Sequence, residues 1–141
     1  LTNELTAINQ YFLHGEMCGN WGYDQLHNEI KKHAIDEMKH AEAIIEHILY
    51  LEGFPNLQRL GTLKIGETVP EQFKSDLALE REAVKLLTEA ITHCASVGDY
   101  TTRAKLEGIV TSEEDHIDWI ETQMETIKQV GVENYLSQHM H

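Results

Sequence analysis

The stretch IDEMKHAE, residues 35–42, sets Glu37 and His40 three positions apart within a run whose apolar residues recur at helical spacing. Residues i and i+3 of a helix lie one turn apart on one face, so a carboxylate and an imidazole there reach the same small volume. One such pair is ordinary on a solvated helix. The chain repeats it: TSEEDHID, residues 111–118, carries Glu113 and His116 at the same spacing. Upstream of each pair stands a further glutamate, Glu4 in NELTAINQYF and Glu80 in LALEREAVKL. The interval from Glu4 to Glu37 equals that from Glu80 to Glu113. The shift that takes Glu37 to Glu113 also pairs Ala7 with Ala83, Ile8 with Val84, and Ile44 with Ile120. Two copies of a helical hairpin, each with one glutamate on its first helix and E-x-x-H on its second, account for the pattern.

The rest of the chain agrees with a helical reading. Its 141 residues suit one domain, and a 41% hydrophobic content is enough for a core. Two prolines and nine glycines are few for a sheet protein rich in turns, so the expected class is all-α. Leu1, Leu5, Ile8, Phe12 and Leu13 keep the helical period until CGNWGYD breaks it near residue 20. Leu1 has neither cap nor Met, which reads as the interior of a helix begun upstream. A second helix is expected over Asp24–Tyr50, a third from about Val69 to Val97, and a fourth from about Asp99 to Val130. Gly131 stops the last, and VENYLSQHM is expected to form a short fifth. Between the second and third helices, about 19 residues hold Gly53, Gly61, Gly66, Pro55 and Pro70. A connection this long can run the length of a bundle, so it reads as a crossover.

Eleven basic against 24 acidic side chains leave a formal charge of −13. That disfavours nucleic acid and anionic lipid as partners and favours cations. No apolar run approaches the roughly 18–20 residues that span a bilayer, and no signal-peptide pattern opens the chain. Cys18 and Cys94 form neither a C-x-x-C pair nor a disulfide scaffold, which points to a reducing cytoplasm. The repeat makes these cysteines equivalent, each about four helical turns beyond its helix's glutamate. With a crossover they point in opposite directions from the centre, on the order of 40 Å apart. A disulfide needs Cα atoms closer than about 7 Å, so none is expected within one chain.

Four carboxylates and two imidazoles suit two iron or manganese ions, whereas a lone zinc rarely needs six such ligands. Buried in a bundle, these carboxylates would be very costly without metal. A glutamate from each of two helices and Glu-x-x-His from each of the other two is the ferritin-like arrangement. The expected architecture is therefore a ferritin-like four-helix bundle with one long crossover and a short C-terminal helix. Met38 sits about 100° around the helix from Glu37, on an outer stripe with Ile35 and Ile45, while Leu5, Ile8 and Phe12 form a stripe on the first helix. Read from the residues alone, Met38 packs against a partner subunit. Tyr11 follows Glu4 by two turns on one face and is a candidate electron donor, with a structural core tyrosine as the other reading. His14, His27, His47, His93, His139 and His141 have no repeat partner and read as surface or structural. His33 lies one turn before Glu37 and is not expected to bind metal.

Taken together, NELTAINQYFLH, IDEMKHAE, LEGFPNLQRLG, SDLALE and EEDHIDWIETQ resemble the bacterioferritin family along essentially the whole chain. The resemblance implies a cytoplasmic shell of 24 identical subunits, built from dimers, that oxidises Fe(II) with dioxygen or hydrogen peroxide and stores ferric mineral. It implies two iron ions per subunit, with Glu4 and His40 on one, Glu80 and His116 on the other, and Glu37 and Glu113 bridging. It also implies haem b shared between two subunits, with Met38 and its twin as axial ligands, and an associated ferredoxin that brings electrons. Phe54, Pro55 and Leu57 in the crossover are the candidate docking residues. A shell of such chains carries roughly −300 formal charges, a field that draws cations to its entrances. Lys32 and His33 depart from the histidine–acid order of several relatives at an accessory inner-surface iron site. Two other readings stay open: a di-iron peroxidase or oxygenase acting on a separate substrate, and a haem-binding shell with a vestigial metal site. A rubrerythrin-like peroxidase would bring C-x-x-C pairs, and these residues have none.

Overall fold

The computed structural model describes residues 1–140 and contains five helices: α1 (Thr2–Asn20), α2 (Asp24–Tyr50), α3 (Val69–Ser96), α4 (Tyr100–Val130) and α5 (Val132–Ser137). Each expected helix is present, the four long ones with ends within about two residues of those read from periodicity, while the short fifth stops at Ser137, before the end of VENYLSQHM. The boundaries have local causes. Thr68 caps α3 by accepting the Glu71 N–H, and Pro70 stands in its first turn, where its missing donor costs nothing. Asp99 caps α4 by accepting the Thr102 N–H at 3.1 Å. Gly131, at φ 85°, closes α4 in a backbone conformation that side chains with a Cβ rarely adopt.

The helices pair as two hairpins, α1 with α2 and α3 with α4, which join through α1 against α3 and α2 against α4. Hydrogen bonds fix the relative direction of the hairpins. Cys18 Sγ donates to Gln72 Oε1 at 3.3 Å, Gln10 Nε2 donates to Asp76 Oδ1 at 2.8 Å, and the Tyr11 hydroxyl donates to Glu80. The late α1 residue Cys18 meets the early α3 residue Gln72, whereas Gln10 and Tyr11 meet Asp76 and Glu80 further along α3, so the two helices are antiparallel and the connection between α2 and α3 is a crossover. Cys18 lies beside Gln72, about six helical turns before Cys94 on α3, which separates the thiols by about 33 Å. Both cysteines are free and buried.

The crossover is strapped to α1 by side chains. Its backbone N–H groups at Gly61, Lys64 and Gly66 donate in turn to Thr6 Oγ1 (2.8 Å), Gln10 Oε1 (3.1 Å) and His14 Nε2 (3.0 Å). An irregular segment has no ladder of its own, so a buried donor such as the Gly66 N–H must find a side-chain acceptor. His14, read as surface or structural, is a structural residue with no exposure at all. Because its Nε2 accepts from Gly66, its Nδ1 carries the proton and donates to Asp76 Oδ1 at 2.9 Å. Gly66 passes so near α3 that a Cβ there would stand 2.4 Å from the Gln72 nitrogen.

One half of the bundle interior is apolar: Leu26, Ile30, Val69, Phe73 and Ile120, closed at the end by Tyr135 of α5. The Tyr135 hydroxyl donates to Gln123 Oε1 at 2.6 Å, and its ring meets Phe73 edge-on at 6.2 Å. That contact is why so short a helix docks. Among the described residues, no helix is long and apolar enough to cross a membrane. His141 lies outside the described residues.

Candidate metal centre

Midway along the bundle the apolar interior gives way to acid. Glu4 comes from α1, Glu37 and His40 from α2, Glu80 from α3, and Glu113 and His116 from α4. All four glutamates and His116 are buried, and Glu37 is fully excluded from solvent. Glu37, Glu80, Glu113 and His116 each bring one ligand atom within 4.8 Å of the others. His40 joins from one side, its Nδ1 3.1 Å from Glu113 Oε1 and 3.4 Å from Glu37 Oε2. Glu4 is buried on α1, but it lies outside the tightest set, as does His40.

The electrostatics are those of a cation site. Burial dominates the two carboxyls Glu80 and Glu113 and, despite the imidazoles of His116 and His40 beside them, pushes each up to about 7. Burial works against charge on His40 and His116, but the Glu113 and Glu37 carboxylates beside His40 raise it to about 10. The Glu37, Glu80 and Asp36 carboxylates likewise raise His116 to about 11. Protons thus stand in for cations in the metal-free centre. They are not enough: Glu4 Oε2, Glu37 Oε1, Glu80 Oε2 and Glu113 Oε1 are buried with no hydrogen bond. Two of these oxygens do lie within 3.4 Å of a histidine nitrogen, so they have charge nearby without a directed proton. Buried orphan oxygens on four helices are what a bound divalent ion would satisfy.

Around this set the structure adds neighbours. Tyr11 is buried with its hydroxyl on Glu80; burial and then the Glu80 charge hold its pKa well above 10.0. His33 stacks on His116 with ring centroids 4.3 Å apart, and burial followed by the His116 charge lowers its pKa to about 3. Asp36 Oδ2 sits 2.9 Å from His116 Nε2. Sequence reasoning did not find the last contact. Asp36 follows no repeat, and nothing in its spacing says which imidazole crosses from α4.

The remaining candidates lie on the outside. Met38 is 54% exposed on α2, one turn from the exposed Ile35, and Phe12 and Leu13 are exposed on α1. A thioether on an exposed apolar outer face leaves that face open to a partner or ligand. In the crossover, Phe54 is 96% exposed, Leu57 is exposed and Pro55 is half-buried.

Comparison with known proteins bears on the family of the chain. Residues 1–130 match the family described as Ferritin-like domain. Over 138 residues, 98% of this chain and 87% of the relative, the sequence is 51% identical to a bacterioferritin of Mycolicibacterium paratuberculosis. It is 49% identical over the same shares to the bacterioferritin of Mycobacterium leprae. It is 42% identical to that of Rhodobacter capsulatus over 96% of this chain and 84% of the relative.

Proposed function

The chain belongs to the bacterioferritins of the ferritin-like family, and from that premise we propose that it stores iron by oxidising Fe(II) at the buried carboxylate–imidazole centre. The observation that carries this reading is the set of orphan oxygens on Glu4, Glu37, Glu80 and Glu113, gathered from all four long helices. Two divalent ions balance the four carboxylates. In this reading Glu4 and His40 hold one ion, Glu80 and His116 hold the other, and Glu37 and Glu113 bridge. Both imidazoles must lose a proton to ligate, so loading releases protons to solvent.

Fe(II) is the substrate. Two Fe(II) give one electron each, and dioxygen takes both together with two protons to leave as hydrogen peroxide. Hydrogen peroxide as oxidant takes two electrons and two protons to give two waters. Tyr11, hydrogen-bonded to Glu80, would pass one further electron to the oxidant, dioxygen or peroxide, becoming a tyrosyl radical as Glu80 takes its proton. The Fe(III) formed passes on to mineral in a shell of identical chains, with 24 subunits the expected number. Met38 on its apolar face would hold haem between two subunits, supplying an electron relay when bound. Phe54, Pro55 and Leu57 would receive a small ferredoxin, and the shell would work in the cytoplasm.

The same buried carboxylate–imidazole set would also serve a second reading, a di-iron oxygenase or peroxidase with its own substrate. One experiment separates the two. Fe(II) is added aerobically to metal-free protein and ferric absorbance is followed far beyond two irons per chain. Storage predicts continued uptake into a soluble mineral. Saturation at two irons, with no mineral, overturns it.

A further inference from the structure

The centre is built on an internal repeat, yet its two halves differ. The shift that equates His40 with His116 equates Asp36 with Ser112 and His33 with Ile109. His116 is held on two sides: Asp36 Oδ2 meets its Nε2 at 2.9 Å, and the His33 ring lies 4.3 Å away, inclined by 24°. His33 is braced in turn by the edges of Trp119, at 4.9 Å, and Tyr11, at 5.8 Å. Among the described residues His40 has no such support. Its polar contacts run through Nδ1 to Glu37 and Glu113, and its ring neighbour is His116 itself, at 6.4 Å. Neither Ser112 nor Ile109 can offer a carboxylate or a stacking imidazole. The donor set shows the same bias. The four atoms already gathered within 4.8 Å include Glu80 and His116 and leave out Glu4 and His40.

From this we infer that Asp36 and His33 are positioning residues for His116, making the Glu80–His116 position the first to fill and the tighter of the two. The inference rests on the dinuclear reading above. A carboxylate on the far nitrogen fixes the imidazole tautomer, so that Nδ1 turns its lone pair toward the metal, and raises its basicity. A ring already packed in its binding rotamer loses less entropy when the ion arrives. The Glu4–His40 position must order its ligands on binding, so it is the exchangeable half through which ions come and go.

The test is an anaerobic Co(II) titration of the metal-free, assembled protein, followed by visible absorption and calorimetry. The native chain is expected to take two Co(II) in two steps at least about tenfold apart in affinity. Asp36→Ala, at a side chain 41% exposed that contributes nothing to the core, weakens the tighter step by about 10–100-fold and leaves the weaker step in place. Asp36→Asn, which keeps an acceptor oxygen for the ring N–H, recovers part of the loss, and His33→Ala lowers the same step. Two equal steps in the native chain, or equal loss from both steps in Asp36→Ala, overturns the inference and leaves the dinuclear reading standing. Failure of the native chain to take two Co(II) overturns both.

Discussion

Replacing His14 with Ala tests whether the crossover is secured where the structure places its anchor. The ring is fully buried and both nitrogens are engaged, Nε2 by the Gly66 N–H at 3.0 Å and Nδ1 by Asp76 Oδ1 at 2.9 Å. Removal strands a buried backbone N–H, at a cost of about 1–3 kcal/mol, and takes a donor from a buried carboxylate, worth about 1.5–3 kcal/mol. Gln10 Nε2, still 2.8 Å from Asp76 Oδ1, limits the second loss. A central figure of about 4 kcal/mol is a large part of the roughly 5–15 kcal/mol that holds a domain together. For a chain of this length it corresponds to a fall of about 12 °C in unfolding midpoint, at about 3 °C per kcal/mol. Differential scanning calorimetry at matched protein concentration measures it, with His93→Ala, at an exposed position on α3, as a control expected to shift by less than about 0.5 kcal/mol. A His14→Ala midpoint within about 3 °C of the control would refute the strap.

Glu37→Ala and Glu113→Ala each remove a proposed bridging ligand and are expected to slow rapid Fe(II) oxidation by more than about 100-fold while the helices and assembly persist; stopped-flow absorbance and size-exclusion chromatography read the two. An unaltered rate in either would remove it from the centre. Met38→Leu, close in volume and apolar, should leave the assembly intact and free of haem after haem reconstitution, and a visible haem spectrum of native intensity would end that assignment. The Cys18 thiol is pushed up to about 12, by burial and then by Asp76. A folded value above the ordinary 9.0 gives a contribution to stability that is whole below about pH 9 and is lost as pH rises toward 12. Folded protein at pH 9 should therefore leave Cys18 unalkylated by iodoacetamide, and Cys18→Ala should flatten the fall in stability between about pH 9 and 11. Rapid labelling of the folded chain at Cys18 would contradict its burial.

The sequence by itself determined the helices and the six candidate ligands, because both are written in local spacing. A helical face repeats about every 3.6 residues whatever surrounds it. E-x-x-H occurring twice, with a glutamate at the same distance before each copy, marks a repeated hairpin before any coordinates are known. Even the crossover was legible as a length, since a short turn cannot join helices at opposite ends of a bundle. What tertiary structure alone decided is which lone residues meet. His14 and His33 look alike in sequence, each a histidine without a repeat partner. Packing sends one to the crossover, where Gly66 and Asp76 meet it, and lays the other against the ring of His116. Asp36 is one acid among 24 until α4 brings an imidazole nitrogen to 2.9 Å from it. A periodic pattern reports the face a residue occupies, but its chemistry depends on the group that approaches from another helix, and that is set by how the two hairpins close on each other.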